Sequence, residues 1–204
     1  MSKGLLIALE GIDGTGITTQ AARLAAWLRK RAPTVLTKEP TEGPIGLLIR
    51  RALQGDLPGV AEDVMALLFA ADRIDHAREV ILPALERGEN VITDRYLLST
   101  YAYQSLHLDL PWLRELNDPA PRPDATFLLT VDPKTSARRI LERSQKERYE
   151  DEAHLETVLA TYQSLARVLG DELHIHVVDG EGPEEEVTGR LIDALSSLLD
   201  QKVN

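Results

Sequence analysis

The sequence predicts an α/β fold, a parallel five-stranded sheet with helices on both faces. Two observations predict it. Short apolar runs recur at residues 5–9, 35–36, 90–93, 125–131 and 173–178. Such runs suit strands buried between two layers. The intervals between them carry apolar residues at helical spacing. Strands alternating with helices imply parallel pairing, because parallel neighbours need a crossover connection.

The elements follow in chain order. Residues 5–9 read LLIAL, and Glu10 and Gly11 end the run. Ala21, Leu24, Ala25 and Leu28 then mark a helix over 18–31. Residues 35–36 are a weak second strand. Residues 45–54 and 61–85 read as helices, the second long and broken or bent. NVIT at 90–93 is a short strand ending at Asp94, ATFLLTV at 125–131 another, and LHIHVV at 173–178 the last. Helical patterns occupy 99–106, 111–117, 135–143, 155–169 and 183–199. Ligands of such sheets bind beyond the carboxyl ends of the strands. That rule points to residues 10–19, 38–40 and 94–96, and to Asp132.

Composition bounds the function. The chain has 204 residues, 43% hydrophobic and 27% charged, the balance of a single globular domain spanning 1–204. Its net charge of −10 excludes a uniformly basic nucleic-acid footprint, but not a small nucleotide held by a local cation cluster. The absence of cysteine excludes a disulfide framework and thiolate metal sites. No run approaches the ~18 apolar residues of a membrane span, and residues 1–10 lack a signal-peptide core. A soluble, cytoplasmic protein with no nucleic-acid or membrane partner is expected.

The first strand end carries Gly11-Ile12-Asp13-Gly14-Thr15-Gly16-Ile17-Thr18-Thr19. This is G-x-x-x-x-G-K-[ST], the P-loop pattern, with Ile17 at the lysine position. A buried strand before it and a helix after it are the context the motif requires. Glycines let successive N–H groups turn inward on phosphate, and the helix N-terminus adds partial positive charge. Thr18 would offer its hydroxyl to Mg²⁺. Ile17 brings no donor and no charge, so a plain Gly-rich turn stays open beside the phosphate-binding reading. Asp94, ending an apolar strand, is placed to meet Mg²⁺ directly or through water.

Further segments carry a family resemblance. ALEGIDGTGITTQ, Lys38-Glu39-Pro40 with Gly46 and Arg50, the 67–73 run LLFAADR, Asp94-Arg95-Tyr96 with Ser99-Thr100-Tyr101-Ala102-Tyr103-Gln104, and Pro123-Asp124 occur in order across most of the chain. Together they resemble the thymidylate kinases, apart from Ile17. The resemblance implies a three-layer P-loop NTPase fold and Mg²⁺-dependent transfer of the ATP γ-phosphoryl to dTMP. It implies that Phe69 stacks on the pyrimidine, that Arg73 donates to a thymine carbonyl, and that Arg95 and Arg50 hold the acceptor phosphate. Asp13 and Glu39 would contact the sugar or hold the site arginines, with Pro40 beside them. Thr100 and Gln104 would read or border the base, Tyr103 would pack against C2′, and Ser99 is a further substrate-binding candidate. Local readings stay open: Phe69 as core, Arg73 and Asp72 as solvated helix charges, Arg50 and Arg51 as a surface pair. Tyr101 and Trp112 read as core.

Arg138, Arg139, Arg143, Lys146 and Arg148 cluster in one stretch. By resemblance this is a mobile basic lid at about 138–152. Asp13-Gly14-Thr15 offers no loop arginine, so Arg148 and Arg143 are the catalytic candidates. A solvated helix with pairs such as Glu142 and Lys146 is the open alternative. The family runs through a Gly-rich loop after Gln104, where residues 105–112 here are apolar and Pro-containing. Direct in-line transfer needs no covalent intermediate and no general base. Residues 61–85 and 98–108 would pair two copies into a homodimer. The competing functions are a nucleotide-binding protein with little kinase activity, supported by Ile17, and a kinase for another nucleoside monophosphate. No N-K-x-D guanine-reading segment is present.

Overall fold

Each apolar run becomes a strand of one parallel sheet. The computed structural model describes residues 3–143 and 152–203. The chain runs β1 (Leu6–Glu10), α1 (Ile17–Arg29), β2 (Thr34–Lys38), α2 (Pro44–Leu53) and α3 (Glu62–His76). A π-helical turn (Ala77–Ile81) leads into α4 (Leu82–Glu86), then β3 (Asn90–Asp94), α5 (Leu97–Gln104) and α6 (Leu110–Leu116). β4 (Ala125–Thr130), α7 (Pro133–Arg143), α8 (Glu152–Val168), β5 (Ile175–Asp179) and α9 (Glu184–Val203) complete it. The strand order is β2-β3-β1-β4-β5. Every pairing is parallel, with Leu9 opposite Asp94 and Lys38 opposite Asp94.

Side chains alternate across the sheet and build a core on each face. Leu6, Ala8, Val91 and Leu128 pack with residues of α5 and α8, including Tyr101, Leu155 and Tyr162. Ile7, Leu9, Ile92, Phe127 and Leu129 pack against α1 and α9, through Leu24, Leu28 and Leu191. The central strands β1 and β3 are buried along their whole length. β2 and β5 are edges and are only partly covered. That explains the weak apolar signal at 35–36: an edge strand need not be apolar throughout.

The long helical stretch at 61–85 is interrupted, as its sequence predicts. The π-helical turn separates α3 from α4, and Pro83 lies in the first turn of α4. Proline lacks the N–H that a continuous helix would use, and an i→i+5 turn absorbs the mismatch. In α2, Gly46 has an ordinary helical backbone, but a Cβ there would lie 2.1 Å from the Thr41 carbonyl oxygen. The close approach of α2 to the loop after β2 therefore requires glycine.

Phe127 is fully buried at the centre of the α1–α9 face. Phe127→Ala is expected to lower unfolding free energy by about 3–5 kcal/mol, the usual cost of a large cavity. Urea denaturation checks this; a loss below about 1 kcal/mol would contradict the packing.

Candidate active site

The site lies where β1 passes between β3 and β4, the point at which strand order reverses. Beyond β1 the chain turns through Gly11–Gly16 into α1. Thr15 stabilises the turn: its amide and hydroxyl both donate to the Ile12 carbonyl, at 3.3 and 2.8 Å. Ile12 is fully buried and anchors the loop in the core, so it offers a ligand only its backbone. Gly14 and Gly16 have φ of 81° and 90°, a region side chains rarely tolerate. A Cβ on Gly14 would also lie 2.5 Å from the Ser136 carbonyl oxygen. Helix α7 packs directly on this loop: Ser136 Oγ donates to the Asp13 carbonyl at 2.7 Å, and Arg139 reaches the Gly14 carbonyl at 3.5 Å.

Two openings meet here. A polar cleft of about 190 Å³ is lined by Asp13, Gly14, Gly16, Ile17, Thr18, Lys38, Glu39, Asp94 and Arg95. A cavity of about 740 Å³ adjoins it. Asp13, Glu39 and Arg95 line both and form the seam between them. In the cleft, the Thr18 hydroxyl donates to Asp94 Oδ2 at 2.6 Å. Among the described residues no group of three or more His, Cys, Asp or Glu could hold a metal. Ile17 is 6% exposed and packs with the α1–α9 core, while still edging the cleft.

Arg95 is held from several sides. Its backbone is left-handed, φ 67°, an uncommon conformation for a residue with a side chain. One guanidinium nitrogen donates to the Gly11 carbonyl at 3.0 Å and Ser99 Oγ at 3.2 Å; the other donates to Asp13 Oδ1. Burial disfavours its charge, but Asp13, with Tyr103, Tyr162 and Glu10, more than offsets this and holds Arg95 well above the ordinary arginine range. The guanidinium carbon is 5.5 Å from the centre of the Tyr103 ring.

Glu10 supports the site from beneath and is fully buried. Its carboxylate accepts from the Tyr96 and Leu98 amides at 2.9 and 3.1 Å, and from the Ser99 hydroxyl. Burial raises the Glu10 carboxyl above its usual value, against the lowering effect of Ser99 and Arg95. Tyr162 of α8 joins the cluster, 2.8 Å from Ser99 Oγ. Burial, then the Glu10 charge, raises its hydroxyl well above the ordinary tyrosine value, so it stays protonated.

The larger cavity gathers Pro40, Phe69, Arg73, Ser99, Thr100, Tyr103 and Gln104. Gln104 is 5% exposed, and neither its amide nitrogen nor its amide oxygen has a hydrogen-bond partner among the described residues. Phe69 is half-buried rather than core. Arg73 and Asp72 are not solvated charges: both are buried. Arg73 pairs with Glu39 at 2.8 Å, donates to Asn117 Oδ1 at 2.5 Å and to the Tyr96 carbonyl at 3.1 Å. Asp72 accepts from the Thr41 amide and hydroxyl at 2.8 and 2.6 Å. Tyr101 is core, as read, and Trp112 packs partly against it. Residues 105–108 and α6 replace the Gly-rich loop, and His107 borders the cavity.

Some expected residues are placed elsewhere. Arg50 is not on the cavity wall; it donates to the Thr41 carbonyl at 2.6 Å and to the Pro40 carbonyl, and so shapes the loop after β2. Thr19 continues the first turn of α1. Arg143 ends α7, but its side chain lies outside the described residues, as does all of Arg148. Sequence reasoning missed Tyr162, Asn117 and His76 as site supports. His76 lies 3.0 Å from Glu39 and 2.7 Å from the Thr37 hydroxyl. Their one available signal was a polar residue at a helix position that buries its neighbours.

A phosphate-binding turn beside an acceptor cavity of nucleotide size defines a P-loop phosphotransferase acting on a nucleotide. Comparison with known proteins narrows this class. The thymidylate kinase family model matches residues 9–191. A probable thymidylate kinase of Thermococcus kodakarensis is 39% identical over 97% of this chain and 100% of its own length. One from Pyrococcus horikoshii is 42% identical, covering 97% and 92%. A thymidylate kinase of Bifidobacterium longum subsp. infantis is 38% identical, covering 98% and 89%. The chain belongs to the thymidylate kinase family.

Glu10 generates a pH prediction. Its folded carboxyl binds a proton more tightly than the unfolded one. Its contribution to stability is therefore complete below the unfolded value, about 4.3, and is lost as pH rises through the folded value. Glu10→Gln stays neutral throughout. The stability of the variant minus that of the parent should rise with pH above about 4.3, at most about 1.4 kcal/mol per pH unit. Urea unfolding of both proteins from pH 4 to 8 reads this; a flat difference would contradict burial as the dominant influence.

Proposed function

We propose that the chain transfers the γ-phosphoryl group of ATP to dTMP, giving dTDP and ADP. One observation carries the reading: the buried amide of Gln104, without a partner among the described residues, borders a cavity that shares Asp13, Glu39 and Arg95 with the phosphate-loop cleft. A buried amide without partners is costly unless a ligand completes it. The imide edge of thymine offers one donor between two acceptors, and a glutamine amide pairs with it side by side. Phe69 supplies an apolar face for the ring, and Tyr103 borders the sugar. Arg95 binds the acceptor phosphate, held in place by Asp13 and Gly11.

The loop amides of residues 11–19 receive the donor phosphates. Thr18 and Asp94, already joined by a hydrogen bond, would offer hard oxygen ligands suited to Mg²⁺. Mg²⁺ contributes charge neutralisation at the transferring group. Arg143 and Arg148, in a lid spanning about 138–152, close on the donor side and exclude water. The acceptor is already anionic, so alignment and electrostatics suffice. Residues 1–204 are read as one kinase domain with this lid. The exposed apolar residues Val64, Leu67 and Val80 support pairing of the 61–85 region in a homodimer. No helix among the described residues is long and apolar enough to cross a membrane; a cytoplasmic location is proposed because both substrates are soluble nucleotides.

ADP release from ATP and Mg²⁺, measured across a panel of mononucleotides, tests the reading. dTMP should stimulate release at least tenfold more than dCMP, dGMP or dAMP; stimulation by none of them, or preference for another, would sink it. Gln104→Met should keep the fold and lower kcat/KM for dTMP by roughly 10–100-fold, the effect of about 1–3 kcal/mol in buried hydrogen bonding. Gel filtration should show twice the monomer mass; a monomer would remove the dimer from the proposal.

A further inference from the structure

The phosphate loop lacks its lysine, yet the cleft beside it is not without cations. Among the described residues its lining carries two, Lys38 and Arg95. Arg95 is committed to Gly11, Ser99 and Asp13 on the acceptor side. Lys38 ends β2, and the sheet register sets it opposite Asp94. Paired residues on neighbouring strands, about 4.8 Å apart, present side chains to the same face. That face is the one carrying Thr18 and Ile17. Asp94 accepts from Thr18 there, and Ile92, two residues earlier, shares a core with Ile17. The adjacent residues confirm the parity: Thr37 and Glu39 turn to the other face, toward His76 of α3.

Lys38 is also free to move. Its ammonium meets Glu42 at 2.7 Å, with side chains 49% and 68% exposed. Exposed pairs of this kind are weak and exchange readily. A triphosphate entering the cleft offers a stronger partner than a solvated carboxylate.

We propose that Lys38 supplies the positive charge that Ile17 does not, its ammonium leaving Glu42 to bind the γ-phosphoryl oxygens of ATP beside Thr18 and Asp94. This rests on the kinase reading above. As the acceptor phosphate oxygen bonds to the γ-phosphorus, the bond from that phosphorus to the β–γ bridging oxygen breaks. The electron pair stays on the departing ADP. Lys38 neither gives nor takes a proton; it neutralises charge on the oxygens that move. Ile17 meanwhile serves the core under α1.

A double-mutant cycle tests this with Lys38→Met and Ile17→Lys, alone and combined. In the parent, Lys38→Met should lower kcat by about 10²–10³, the usual effect of losing one preorganised charge partner. It should also weaken Mg²⁺–ATP binding in calorimetry at least tenfold and leave AMP binding unchanged. In the Ile17→Lys background both losses should shrink to within about threefold. Ile17→Lys alone should change kcat by less than tenfold. Glu42→Gln should tighten ATP binding in the parent but not when Lys38 is Met. The thermal midpoint should not move with Lys38→Met, since the side chain is exposed. Equal losses in both backgrounds, or none in the parent, would overturn the assignment. ATP binding reads the assignment without dTMP. If the ATP pattern holds but dTMP is neither bound nor phosphorylated, Lys38 keeps its role and the thymidylate reading fails instead.

Discussion

A carboxylate sealed from water sets the geometry of this protein. Glu10 ends the central strand, and its oxygens must be satisfied from inside the fold. The partners come from elsewhere in the chain: the Tyr96 and Leu98 amides, the Ser99 hydroxyl and Tyr162 of α8. The Tyr96, Leu98 and Ser99 contacts pin the start of α5 against the start of the phosphate loop, and Tyr162 ties α8 to the same carboxylate. Arg95 sits in the connection from β3 to α5. Its left-handed backbone is tolerated because its neighbours on both sides are fixed. Arg95 and the phosphate loop are therefore held in place by one buried group.

How much of this the sequence discloses depends on the range of the interaction. Apolar runs and helical spacing are local, and they yielded the strands, the helices and the interruption at 61–85. The phosphate loop is a contiguous motif set between a strand and a helix, and it was legible for that reason. Gln104, Thr100 and Tyr103 follow from their helical spacing and the family pattern. What escaped is what depends on tertiary contact. The resemblance had Glu39 holding a site arginine, but nothing local says that Arg73 does so in a dry interior with Asn117 and His76. Arg50 looked like a phosphate ligand because arginines often are. The structure uses it to cap carbonyls of its own loop. Arg143 and Arg148 carry the lid reading on sequence alone, since neither side chain is among those described.

Ile17 shows a conflict between two demands at one position. The first residue of α1 faces both the sheet and the phosphate cleft. A lysine there serves the ligand and places its stem along the core. An isoleucine fills the core better and gives the ligand nothing. The loss is electrostatic, and electrostatic partners can be supplied from a different strand if the register allows it. Backbone amides cannot be relocated in this way, because they belong to the turn itself. The glycines at 14 and 16 are retained, with the backbone angles that such a turn requires.

The seam between the two openings carries a mechanical consequence. Asp13, Glu39 and Arg95 line both cleft and cavity, so a ligand in either opening meets residues that the other shares. Arg95 pairs with Asp13 across the seam. On the proposed reading an acceptor phosphate would compete for that charge, and Asp13 belongs to the loop proposed to hold the donor. Glu39 adds a constraint from below, because its carboxylate ties Arg73 and His76 together under the acceptor. On the reading proposed above, the two openings would be coupled through these shared side chains. In the reaction proposed above, the geometry would be complete only with both openings filled, because Arg95 is otherwise engaged by Asp13.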